Sequence, residues 1–255
     1  MKAVILAGGK GTRLSEETQA KPKPLVEAGG KPLIWHIMQN YFLHGIDEFI
    51  ILAGYKGQLI REYFNNFWLH QSDITFDLGS PKHEVIRSKK VPWKVTVLDT
   101  GLESGTGTRL RYLQELITED FLLTYGDGVA DVNIPAAIAQ HARTGKIATL
   151  TAVQPPGRYG ALELDEVSVT AFCEKPEGEG GWINGGFFVV SPEAIALIEG
   201  DQTSWEGRVL PILAARNSLG AYFHKGFWQP MDTLREKNHL EDLWASGRAP
   251  WKIWT

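Results

Sequence analysis

Three glycines, an arginine and a lysine near the start of this 255-residue sequence carry its most specific chemistry. The string Leu6, Ala7, Gly8, Gly9, Lys10, Gly11, Thr12, Arg13 follows directly from the apolar run Ala3-Val4-Ile5, and Lys23 stands a little downstream. The β-branched Val4 and Ile5 read as a buried strand, and the glycines after them let the backbone turn sharply and bring its N–H groups close to an anion. With Arg13 and Lys23 as cationic donors, the string reads as a cradle for a triphosphate. Neither common Gly-rich signature fits. A Walker loop ends in Gly-Lys-Ser/Thr, and the dinucleotide fingerprint needs a third glycine near where Leu14 stands. A nucleotide site of another design is expected.

A second element lies at Gly126-Asp127-Gly128, just past the apolar run Leu122-Leu123. A carboxylate between two glycines at the end of a buried strand suits a hard divalent cation that bridges phosphate oxygens, so Mg²⁺ is the expected cofactor and Asp127 its first ligand. Mg²⁺ takes only one or two protein carboxylates, which predicts a distant second acid and not an acidic cluster. Asp131 is the weaker competitor and reads as a turn or cap residue. The seven histidines show no metal-ligand spacing on one helix face, and His36, His44 and His141 read as polar helix positions. The nine tryptophans, Trp182 and Trp228 among them, read first as packing residues, and Cys173 as a small apolar strand residue.

The elements that must hold these groups alternate along the chain. Short apolar runs at 49–52, 93–98, 121–124 and 148–153 read as strands. Between them, Ile60, Phe64, Phe67 and Trp68 share one helical face, as do Leu110, Leu113 and Ile117; a further helix over 134–143 is entered through Asn133 and Pro135. This alternation predicts an α/β fold with a mostly parallel sheet and helices on both faces. In such a sheet ligands bind beyond the carboxyl ends of the strands, so the loops after Leu6 and Tyr125 should meet there. The stretch 69–94 is longer than that plan requires. No repeat or linker divides the chain, so residues 1–255 read as one domain.

Composition sets the class. With 43% hydrophobic and 22% charged residues the chain can bury a substantial core. A net charge of −4, from 26 basic and 30 acidic side chains, gives no general field that would draw nucleic acid or an anionic membrane. A single cysteine makes no internal disulfide, and the apolar stretch after Lys2 is too short for a signal-peptide core; a cytoplasmic enzyme is expected.

The opening strand, the Gly-Gly-x-Gly-Thr-Arg loop, Lys23-Pro24-Leu25 and Gly30-Lys31-Pro32-Leu33 together resemble the sugar-nucleotidyltransferase family. That resemblance implies a Rossmann-like nucleotidyltransferase fold whose nucleotide pocket here would comprise Leu6, Ala7, Gly8, Gly9, Gly11, Thr12, Arg13, Lys23, Gly126 and Asp127. Arg13 and Lys23 would act in catalysis. It implies that Asp232, in the string Gly226-Phe227-Trp228-Gln229-Pro230-Met231-Asp232, completes the metal site; Asp232 also reads as a cap for a helix opening at Thr233. It further implies that Tyr159-Gly160, Glu174-Lys175 and Asn184-Gly185 hold a sugar 1-phosphate. The region 99–110 departs from the pattern common in the family. With the 69–94 stretch and the Asp127 and Asp232 segments, it resembles the family's cytidylyltransferase branch over essentially the whole chain. That implies CTP and α-D-glucose 1-phosphate as substrates, with Thr106 and Arg109 near the nucleotide. UTP or dTTP as the donor, and a non-catalytic nucleotide-sugar sensor, stay open. So does assembly into a homo-oligomer, which the resemblance and the aromatic run Tyr63 to Trp68 suggest, with 69–94 as an extended insertion and 200–255 as a C-terminal helical segment.

Overall fold

The apolar run at the amino terminus forms strand β1 (Ala3–Ala7), buried along its whole length because both of its faces are covered. In the computed structural model, residues 1–80, 82–88, 91–155, 161–165, 168–173 and 181–254 are described, with backbone alone for 70, 161–165 and 168–173. Strands β2 (Glu48–Ala53), β3 (Lys94–Asp99), β4 (Phe121–Tyr125), β5 (Ala148–Val153), β6 (Ile183–Val190) and β7 (Leu219–His224) join β1 in the order β7-β5-β6-β4-β1-β2-β3. β1 lies between β2 and β4, parallel to both, with Ile5 opposite Ile51 and Thr124. Only β6 runs against its neighbours, so the central sheet is mixed. The expected alternation is what builds it.

Helices cover both faces. On one side Ile34 and Met38 of α1 (Leu33–Leu43), Ile60 of α2 (Gly57–Asn65) and, further along the chain, Ala137 pack on Ile5, Ile51 and Leu122. On the other, Leu110 of α3 (Thr106–Leu110) joins Trp205 and Leu213 over Val4, Leu6, Leu123 and Phe188. The helix over Ala137 is α4 (Ile134–Thr144): the Asn133 side chain accepts from the Ala136 N–H at 3.0 Å, and Gly145 closes the helix in the left-handed region at φ 60°. α5 (Leu210–Ala215) carries Leu213.

Several expectations differ in detail. α2 ends at Asn65, so Phe67 and Trp68 lie in the turn beyond it. Leu110, Leu113 and Ile117 share one buried core, but α3 tightens into a 3₁₀ turn after Leu110 and is not one long helix. The stretch 69–94 holds an antiparallel hairpin, Ser72–Asp77 with Lys82–Ser88, whose residues are largely exposed. The stretch 200–255 contains α5 and α6 (Leu234–Ala245), but also β7 and the short strand Trp228–Pro230. No described helix is long and apolar enough to cross a membrane.

α6 seals a third core, where Leu240, Met231 and Trp251 meet Leu14, Val26 and Leu33. His36 of α1 sits beside it among Trp35, Trp244, Trp251 and Trp254. It is no solvent-facing helix position: only 1% of it is exposed, and His141 is likewise buried. The Trp251 indole only donates, so Nδ1 of His36 accepts from it at 3.3 Å and Nε2–H faces the Ala28 carbonyl at 2.8 Å. Burial pushes the His36 pKa down to about 4. The folded state therefore favours the neutral ring, and its contribution is complete above the unfolded pKa near 6.5 and drains away as pH falls toward 4. His36→Gln should lower stability at pH 7.5 by about 1–2 kcal/mol and flatten the loss of stability between pH 6.5 and 4 in urea titrations. A variant with the wild-type pH slope would contradict this role.

Candidate active site

Because Leu6 pairs with Tyr125 in the β1–β4 ladder, the loops leaving those two strands emerge side by side at the carboxyl edge of the sheet. The Gly126 N–H donates to the Leu6 carbonyl at 3.0 Å and locks the two loops together. Gly11 turns in the left-handed region at φ 63°, a conformation most side chains resist, and its carbonyl accepts from the Leu14 N–H and the Thr18 hydroxyl, each at 3.0 Å. Between these loops lies a cleft of about 260 Å³. Every residue expected of the nucleotide pocket lines it: Leu6, Ala7, Gly8, Gly9, Gly11, Thr12, Arg13, Lys23, Thr106, Arg109, Gly126 and Asp127. Asp232 joins them, as do Pro24 and Tyr125, which the sequence did not single out.

The meeting of Asp127 and Asp232 has a backbone cause. Trp228–Pro230 pairs antiparallel with Gly128–Ala130, Pro230 opposite Gly128, and the Met231 N–H donates to the Asp127 carbonyl at 2.8 Å. Asp232 is not the cap of α6. That place belongs to Thr233, whose side chain and Glu236 form a reciprocal capping box, and the Glu236 carboxylate also accepts from the Asp232 N–H at 2.7 Å. The Asp232 carboxylate is left to face the cleft. Lys23, nearly buried in the 3₁₀ turn Lys23–Leu25, places its Nζ 3.0 Å from Asp127 Oδ2 and in direct contact with Asp232 Oδ1. Arg13 Nη1 lies 2.8 Å from Asp232 Oδ2 while most of its side chain stays exposed. Two cations and two carboxylates thus form one charge-balanced cluster at the mouth of a glycine cradle.

Arg109, expected near the nucleotide, lines the cleft and is also locked into the protein. Its guanidinium is buried against Gly8, where a Cβ would lie 2.2 Å from Cζ, and it donates to the carbonyls of Gly8, Ala53, Gly101 and Leu102 and to the Thr100 hydroxyl. Burial pushes its pKa down, and the charges of Tyr112, Asp99 and Glu103 offset that only in part. It ties the loop after β1 to the loop after β3 and forms the floor of the cleft's nucleotide end. Thr106 lines the same end without capping α3: its hydroxyl donates to Glu206 at 2.6 Å and accepts from the Trp205 N–H at 2.9 Å.

A smaller crevice of about 40 Å³ adjoins the cleft through Tyr125 and Asp127 and is lined also by Gly185, Gly186 and Trp228. Gly185 lets β6 approach β5, since a Cβ there would meet Val153 at 2.7 Å. The Trp228 indole donates to the Gly185 carbonyl at 2.7 Å, and the Asn184 carboxamide accepts from the Gly186 N–H at 2.9 Å. Tyr159, Gly160, Glu174 and Lys175 lie outside the described residues. Asp131 faces His224 at 3.1 Å and not the cleft, and Trp182 packs edge-on against Phe223. Among the described residues no group of three or more acids, histidines or cysteines could hold a metal. The donor set is the two-carboxylate kind that Mg²⁺ accepts when phosphates and water fill its other positions.

The sequence profile of the nucleotidyl transferase family matches residues 2–233. A glucose-1-phosphate cytidylyltransferase from Salmonella typhi is 57% identical over the full length of both chains, and a probable glucose-1-phosphate cytidylyltransferase from Bacillus subtilis is 41% identical, again over both full chains. Among solved structures, HddC from Yersinia pseudotuberculosis complexed with GMP-PN superposes with a TM-score of 0.68 at 22% identity, covering 95% of this chain and 99% of that one, a likeness of fold. The chain belongs to the nucleotidyl transferase family, and the resemblance that runs over its whole length is to the glucose-1-phosphate cytidylyltransferases within it.

Proposed function

We propose that this protein transfers a cytidylyl group from CTP to α-D-glucose 1-phosphate, giving CDP-glucose and pyrophosphate. The observation that carries the reading is the convergence of Lys23, Asp127 and Asp232, from three distant parts of the chain, on one glycine-lined cleft. In-line displacement at phosphorus asks little covalent help of a protein; it asks for aligned reactants and neutralised charge. The backbone amides of the loop after β1 would hold the triphosphate. Lys23 would face the α-phosphate, and the exposed, mobile-length side chain of Arg13 would reach the departing pyrophosphate. Asp127 and Asp232 would hold Mg²⁺, which when bound draws charge from the phosphate oxygens. Tyr159, Gly160, Glu174, Lys175, Asn184 and Gly185 are assigned to the sugar phosphate, the first four on sequence resemblance alone. CTP is favoured over UTP or dTTP by the full-length identity to cytidylyltransferases.

The exposed hairpin supports assembly into a homo-oligomer. A lone two-stranded ribbon is marginal in water, yet this one exposes Phe76, Val85, Ile86 and Leu78, the last 97% accessible. A second copy would cover them.

Three measurements test these assignments. With glucose 1-phosphate and Mg²⁺, pyrophosphate release should favour CTP over UTP and dTTP by tenfold or more; tight nucleotide binding without release would instead mark a sensor, and a tenfold preference for UTP would end the cytidylyl reading. Lys23→Met should fold and lose turnover by about 10² to 10³, yet bind free Mn²⁺ about tenfold more tightly because a competing cation has left the carboxylates; unchanged or weaker Mn²⁺ binding would refute the shared position. Light scattering should give a multiple of the 28.4 kDa chain mass, reduced to the monomer by Phe76→Ser with Ile86→Ser. A wild-type monomer would remove the assembly.

A further inference from the structure

Glu206 has no place in the triphosphate cradle or the carboxylate pair, yet it is bonded to both ends of the cleft. It sits in Trp205–Val209, a single π-helical turn, a rare geometry that recurs at functional sites. The wider turn brings its half-buried carboxylate against three hydroxyls. Oε1 accepts from Tyr125 at 2.5 Å; Oε2 accepts from Thr106 at 2.6 Å and from Ser204 at 2.9 Å. The two outer partners belong to different subsites. Thr106 lines only the large cleft, at its nucleotide end, whereas Tyr125 lines both the cleft and the adjoining crevice. The Tyr125 ring lies against Gly186, where a Cβ would come within 2.5 Å of Cδ2, and the Gly186 N–H donates to the Asn184 side chain at 2.9 Å. Burial and then the charge of Glu206 hold the Tyr125 phenol in its neutral, donating form.

We propose that Glu206 is a positioning residue that fixes Thr106 for the nucleotide and Tyr125 for the sugar phosphate, so that one carboxylate sets the geometry of both subsites. The chain of contacts runs Thr106, Glu206, Tyr125, Gly186, with each of the two hydroxyls donating to its own oxygen of the carboxylate and the Tyr125 ring lying against Gly186. A carboxylate is required at its centre because it must accept on both oxygens. An amide of equal size offers one accepting oxygen and turns an NH₂ toward a hydroxyl, which then has to rotate or withdraw. Thr106→Val and Tyr125→Phe each remove one arm and leave the other.

This proposal rests on the nucleotide and sugar assignments made above, and steady-state kinetics with CTP and glucose 1-phosphate separate the two. Glu206→Gln should raise the KM of both substrates by about tenfold while kcat changes less than threefold and the thermal midpoint holds within a few degrees. Thr106→Val should raise the KM of CTP alone, and Tyr125→Phe that of glucose 1-phosphate alone. Combining Glu206→Gln with Tyr125→Phe should raise the sugar KM no further than the stronger single change, the sign of a shared contact. Wild-type KM values in Glu206→Gln, or a fall in kcat with both KM values unmoved, would overturn the proposal. If Glu206→Gln fails to fold, the two single-arm variants decide: neither shifting its substrate's KM would overturn it equally. A clean exchange of the two effects, Thr106→Val acting on the sugar and Tyr125→Phe on CTP, would keep the linkage but refute the assignment of the subsites. A loss of activity in Lys23→Met alongside an unaffected Glu206→Gln would leave the reaction assigned and Glu206 without this role.

Discussion

The ammonium of Lys23 sits between carboxylates that lie 104 and 209 residues further along the chain, and the rest of the site is arranged so that this contact can exist. An almost buried lysine is costly to desolvate unless it is paired, and two carboxylates side by side repel unless something positive lies between them. Each side of the cluster answers the other's cost. Arg13 on the outer edge of Asp232 brings the four charges into balance while keeping a flexible, solvated stem. A divalent cation and a chain of phosphates would offer such a cluster the same charges in a different order.

The scaffold sets this arrangement first through backbone pairing and then through a few side chains. Parallel pairing of β1 with β4 sets two loops at one edge, and the small ladder between Gly128–Ala130 and Trp228–Pro230 delivers Asp232 to Asp127. The capping box at Thr233 then satisfies the start of α6 without drawing on Asp232. Behind the glycines, the buried guanidinium of Arg109 gathers three carbonyls from two loops and a fourth from the end of β2. Its hydrogen bonds stiffen the floor on which a nucleotide would rest, and Gly8 is required there because any side chain would collide with it.

Much of this was legible in the sequence because local rules and tertiary structure agree. The β-branched run ending in glycines is a strand followed by a loop in both readings, Asn133 caps α4 through its side chain as its residue type suggests, and Ala148–Val153 is a strand over the expected residues. Asp127 could be placed by its flanking glycines alone. Asp232 could not, since what brings it to the cleft is a three-residue ladder with no pattern of its own; only the family resemblance pointed to it. The helical periodicity of Leu110, Leu113 and Ile117 correctly marked a buried face but not the 3₁₀ turn that breaks the helix, because burial and not hydrogen-bond type sets the spacing. His36 read as polar because its type is polar. Four tryptophans, three of them more than 200 residues away, made it a core residue. Tyr125 and Glu206 carried no local signal, since a tyrosine at a strand end and a glutamate in a short turn are ordinary until the fold brings them together.

The central claim is that Lys23 holds the place between two carboxylates that Mg²⁺ would take together with a nucleoside triphosphate. A crystal structure with Mg²⁺ and a non-hydrolysable CTP analogue tests it most directly. The account predicts a metal ion touching Asp127 and Asp232, with the Lys23 ammonium displaced from between them onto the α-phosphate. A nucleotide bound in the cleft with Lys23 still bridging both carboxylates, and the metal held elsewhere, would contradict it.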